Sequence, residues 1–114
     1  MVKAVIPDAL SRRHWLSDDL GSERALEVAE AYLAVGRAFE AVDFLRKAEA
    51  HDKLLEIGRE AMESGDLFLF RAICEASGEE PDASDWRTLA DAAEAAGKTL
   101  YAAEARRQLQ AVGG

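Results

Sequence analysis

The chain has 114 residues, 49% of them apolar and 7% aromatic, with a formal charge of −8 at pH 7. That length fits a single domain over 1–114 with a real but marginal core, by surface-to-volume scaling. So acidic a balance argues against a protein that tracks nucleic-acid phosphates, which needs a basic stripe; Arg12-Arg13 and Arg106-Arg107 are pairs rather than a stripe.

A leading helix is expected near 8–20. Ahead of it, the only stretch with strand-like content, Val2 to Ile6, is short and stops at Pro7. Beyond it the chain is rich in Ala, Leu and Glu, side chains that lose little rotamer freedom in a helix. Helices are predicted near 23–35, 37–50, 52–64, 66–77, 84–96 and 98–112. Gly21, Gly36, Gly65, Gly78 and Gly97 each follow a helical stretch, where a left-handed cap is least strained without a Cβ. Ser22, Asp66 and Ser84-Asp85 supply N-caps or first-turn acids. Gly78 to Ala83, containing Glu79, Glu80, Pro81 and Asp82, is the one extended loop.

Apolar residues recur at helical spacing in Ala25, Val28, Ala29 and Tyr32, in Leu54, Ile57, Gly58 and Ala61, and in Trp86, Leu89, Ala90 and Ala93. The three stretches align without a gap inside any unit. After each comes a turn glycine (Gly36, Gly65, Gly97) and a second helix marked by Ala41, Leu45 and Ala48, by Phe70, Cys74 and Ser77, or by Ala102, Arg106 and Leu109. Such a hairpin cannot bury its own face, so copies of it must stack.

On these residues the chain resembles the tetratricopeptide-repeat family over about residues 22–112. Trp86-Arg87-Thr88-Leu89-Ala90-Asp91-Ala92-Ala93 is the best-matched helix start, and Tyr32 to Gly36 followed by Glu40 to Leu45 the best-matched hairpin. The departures are offsets of 29 and 32 residues rather than about 34, a Pro81 one position short of the family's closing proline, and Phe70 where a small residue belongs. The resemblance implies an all-α fold of about seven helices, in which antiparallel hairpins stack as a short α-solenoid behind a leading helix over 1–21. A non-repetitive helical bundle is the alternative.

Chemistry-bearing motifs are sparse. Gly97-Lys98-Thr99 resembles the end of a phosphate loop, but Ala92 stands where that loop needs a glycine and no strand precedes it. His14 and His51 lack a metal-type partner at helical spacing, and without a His–acid–nucleophile set Ser11, Ser17 and Ser64 have no activating base. Asp18-Asp19 and Glu79-Glu80 read as solvated acids, and Cys74 as an inert inward thiol. Gly113-Gly114 reads as a frayed end. No cofactor or metal site is expected. One cysteine, no signal peptide and no membrane-length apolar run point to the cytoplasm.

The resemblance also implies a concave groove lined by the first helix of each hairpin. Its flanking positions here are Glu23, Leu26, Glu30 and Leu33, then Asp52, Leu55, Arg59 and Met62, then Ser84, Arg87, Asp91 and Glu94. The family's lysine and asparagine clamp for a C-terminal carboxylate is missing from these places. Apolar positions bordered by acids suit an amphipathic helix or a basic peptide. The expectation is a non-enzymatic protein–protein interaction module, with a self-associating assembly protein or a small helical enzyme as alternatives. Leu10, Trp15, Leu16 and Leu20 of the leading helix either cap the first hairpin or bind the partner themselves.

Overall fold

The computed structural model describes residues 6–17 and 20–113. The described residues form seven α-helices and no strand: α1 (Ala9–Ser17), α2 (Ser22–Ala34), α3 (Ala38–Lys47), α4 (His51–Ser64), α5 (Leu67–Ser77), α6 (Ala83–Ala95) and α7 (Thr99–Ala111). The expected all-α class and helix number hold. Of the short strand-like stretch, residues 2–5 lie outside the described residues, as do Asp18 and Asp19.

Glycine sets the turns for a local reason. At Gly36, Gly65 and Gly97 the backbone is left-handed, with φ of +76°, +73° and +75°. At each, the glycine N–H donates to the carbonyl three residues back and the next N–H reaches five back: Arg37 to Tyr32, Asp66 to Ala61 and Lys98 to Ala93. This paired bonding satisfies carbonyls that the helix end would otherwise leave open. The turn from α3 to α4 has the same two bonds, from Glu49 to Arg46 and from Ala50 to Leu45, but Glu49 holds the left-handed position at φ +56°.

Two expected caps move. Gly21 is extended (φ −60°, ψ 152°) and serves as the N-cap of α2 rather than as a left-handed cap. The cap of α6 is Asp82 rather than Ser84, while Asp85 is the expected first-turn acid. Asp85 N–H donates to Asp82 Oδ1 at 2.9 Å, and Asp82 N–H donates back to Asp85 Oδ2 at 3.1 Å. Asp66 does cap α5, accepting from Leu69 N–H at 3.1 Å.

Met1–Leu54 and Leu55–Gly114 are two compact units, with the division falling inside α4. In the first, α2 buries Ala25, Val28, Ala29 and Tyr32 against Ala41, Val42, Phe44 and Leu45 of α3. The Tyr32 and Phe44 rings stack with centroids 5.8 Å apart. Helix α1 buries none of its own residues. It is attached by Arg12, whose guanidinium lies 5.4 Å from the Phe44 centroid and 5.8 Å from that of Tyr32. Arg12 Nη2 also donates to the Glu40 carbonyl at 2.8 Å, and Lys47 Nζ donates to the Leu16 carbonyl at 3.2 Å. Arg37, paired with Glu40, covers Tyr32 at 5.0 Å. Among the described residues, Arg12 Nε and Tyr32 Oη are buried without a hydrogen-bond partner, so these attachments oppose a desolvation cost.

The second unit is packed through small residues. A Cβ on Gly58 of α4 would lie 2.8 Å from Ile73 Cγ2 of α5, so a larger residue there would force the Ile73 side chain to shift. A Cβ on Gly65 would lie 2.5 Å from the Ala93 backbone, which brings the α4–α5 turn against α6. Ala61, Leu67, Phe70, Trp86, Leu89, Ala90 and Ala105 share one core. Phe70 meets Trp86 edge-on, at 5.5 Å and 80°. Phe70 is thus accommodated in place of a small residue because it contributes to the Trp86 site. Across both units every first-helix position of the repeat register is buried, from Ala25 through Ala61 to Ala93.

Candidate functional site

The flanks of the buried stripes line two hollows, one in each unit. In the first, Leu26, Glu30 and Leu33 of α2 face the α3–α4 turn (Glu49, Ala50) and the first turn of α4 (His51, Asp52, Lys53) around an open hollow of about 750 Å³. Leu26 and Leu33 are half-buried and two helical turns apart, each adjacent to a buried stripe residue, while Glu30 stands exposed between them. Asp52 sits in the first turn of α4, where the helix dipole favours a carboxylate.

The second hollow is smaller, about 200 Å³, and more apolar. Leu55 and Met62 of α4 line it with Phe70 and Ile73 of α5, and Arg59, Glu79, Glu80 and Asp85 stand around it. Cys74 also reaches it as a free, half-buried thiol. Burial, with Asp85 and Glu79 adding to it, pushes the Cys74 thiol up to about 11. A thiol this hard to ionise is a poor nucleophile near neutral pH.

The hairpin α6–α7 differs. Arg87, Asp91 and Glu94 occupy the register places of Leu26, Glu30 and Leu33, and all are exposed. Arg106 of α7 holds two of them, its Nη2 lying 3.0 Å from Glu94 Oε2 and 3.4 Å from Asp91 Oδ1. Here the flank is a charged face whose two acids are paired with Arg106, rather than an apolar floor.

The expected groove residues therefore fall into three sets. Leu26, Glu30 and Leu33 meet at one hollow, Leu55, Arg59 and Met62 meet at another, and Arg87, Asp91 and Glu94 lie on α6. Sequence reasoning placed His51 at a helix junction with a capping role but missed it, Glu49 and Lys53 as lining of the first hollow, because a helix running to 50 put Glu49 inside the helix rather than in the turn. It also missed Glu79 and Glu80, read only as loop acids. The available signal was the lack of a glycine between α3 and α4, which marks Glu49 as unlike the other turns.

Elsewhere, Gly97-Lys98-Thr99 is a helix-to-helix turn, and Lys98 Nζ donates to the Ser64 carbonyl at 3.1 Å. Among the described residues no group of three or more His, Cys, Asp or Glu is placed to hold a metal ion, and no helix is long and apolar enough to cross a membrane. No family model, curated protein or solved structure matches the chain.

Proposed function

We propose that the chain is a tetratricopeptide-like interaction module that binds an amphipathic or basic segment of a protein partner without catalysing a reaction. One observation carries this reading: the same register positions of α2 and α4, Leu26 with Leu33 and Leu55 with Met62, line a hollow in each unit. Half-buried apolar side chains bordered by carboxylates suit a segment with an apolar face and a basic face. The protonated Cys74 thiol favours binding over nucleophilic chemistry. A free thiol as the only cysteine favours a reducing compartment such as the cytoplasm.

The test is amide chemical-shift mapping of the full chain against basic amphipathic peptides, with Leu26→Glu and Leu55→Glu as controls whose melting midpoints are measured. Shifts clustering on α2, the α3–α4 turn and α4, weakened in both variants, are expected. Shifts clustering on Arg12, Arg13 and Trp15 would instead make α1 the binding element.

A different observation favours a second reading, self-association. Phe39, Phe68 and Leu100 occupy the same position after Gly36, Gly65 and Gly97, and they are 48%, 61% and 83% exposed. Repeated exposure of large apolar side chains favours association with a second copy. Sedimentation equilibrium of the intact chain and of Phe68→Ser with Leu100→Ser separates the readings, since only a self-associating chain loses mass on substitution.

A further inference from the structure

The two hollows differ in what they offer. The second is narrow, and Leu55, Met62, Phe70 and Ile73 make it a place for an apolar side chain. The first is wide and open, and its apolar part is confined to Leu26, Leu33 and Ala50. Glu30, Glu49 and Asp52 are three acidic residues of its lining, beside the imidazole of His51 and the ammonium of Lys53. They come from three separate elements, the middle of α2, the α3–α4 turn and the start of α4.

Resting on the interaction reading, we propose that the first hollow is a selectivity site for a lysine or arginine side chain of the partner segment. Half-buried leucines suit the methylene stem of such a side chain, whose charged head remains hydrated and meets the carboxylates at the rim. A glutamate partner residue would face like charge there, and a purely apolar one would leave the carboxylates to be desolvated without a counter-charge. Glu49 fits this role. It is exposed in the α3–α4 turn and lines the hollow beside Leu26 and Leu33.

The experiment is selection from a random-peptide display library against the full chain, followed by titration of the selected synthetic peptides. Enriched sequences should carry a lysine or arginine beside an apolar residue. Glu30→Gln, Glu49→Gln and Asp52→Asn should each weaken binding of such a peptide, by about tenfold for the most strongly coupled carboxylate. Replacing the peptide's basic residue with glutamine should weaken binding equally, and combining both changes should add little. Glu49→Gly should weaken binding while the melting midpoint rises, which separates lost recognition from lost folding. Enriched peptides that lack a basic residue, or that ignore all three carboxylate variants yet still depend on Leu55 and Met62, overturn this proposal and leave the interaction reading standing. If no peptide is enriched, both fall.

Discussion

The two compact units meet the same packing requirement with opposite materials. In Met1–Leu54 the fourth position of the buried stripe is Tyr32, and the hairpin interior is thick: an aromatic pair with Phe44, covered by guanidinium groups from Arg12 and Arg37. In Leu55–Gly114 the same register position is Ala61 on α4 and Ala93 on α6, and the adjoining sites are Gly58 and Gly65. There backbones approach closely, and the aromatic volume moves to Phe70 and Trp86. The first unit depends on side chains that span a gap, the second on the absence of side chains where backbones meet. A substitution should therefore act differently in each.

The largest effect is expected at Trp86, which is 6% exposed and shares the core with Phe70 and Leu89. Trp86→Ala should cost ~3–5 kcal/mol by denaturant titration; an unchanged midpoint would contradict the packing of the second unit. Next is Gly65→Ala, which combines a left-handed backbone with a Cβ 2.5 Å from the Ala93 backbone. At Gly36 and Gly97 a Cβ meets nothing within 4 Å, so alanine there should cost only the left-handed penalty of about 1–2 kcal/mol. Equal losses at Gly65 and Gly97 would mean that backbone approach does not distinguish these turns.

In the first unit, Arg12→Ala should cost about 1 kcal/mol globally, because a single arginine supplies the ring contacts and the bond to Glu40. Its more specific signature is faster amide hydrogen exchange in α1 with α2 and α3 still protected. Tyr32→Phe keeps the ring stack and removes a buried hydroxyl that has no partner among the described residues. Its stability should hold or rise by up to about 1 kcal/mol, whereas a clear loss would reveal a hydrogen bond at Tyr32 Oη.

A separate effect concerns pH. The folded Cys74 thiol ionises near 11, against 9.0 for an unburied thiol. The unfolded chain thus releases its proton first, and this contribution to stability is complete below about pH 9 and lost as the pH rises through 11. At pH 8 alkylation of Cys74 in the native protein should run roughly 100-fold slower than in the denatured chain, since thiolate is the reacting species. Comparable rates would show that the site opens readily.

What the sequence determined by itself was everything governed by near neighbours. Helical spacing of Ala25, Val28, Ala29 and Tyr32, and of its two counterparts, selected the buried faces, because three- and four-residue spacing fixes which side chains share a side of a helix. The turn glycines at 36, 65 and 97 were legible because a left-handed backbone is a local demand. Half of the candidate site was legible too, since Leu26, Leu33, Leu55 and Met62 follow from their places beside the buried stripes. Tertiary structure decided the rest, where local options were nearly equal or the partner lay far along the chain. Asp82, Ser84 and Asp85 are all competent caps, and only the start of α6 at Ala83 chooses among them. Glu49 adopts a glycine conformation because the α3–α4 turn requires it, and that turn brings it to Leu26 and Leu33. Arg106 pairs with Asp91 and Glu94 only because α7 folds back along α6, which turns a stretch of flanking positions into a face that satisfies its own charges.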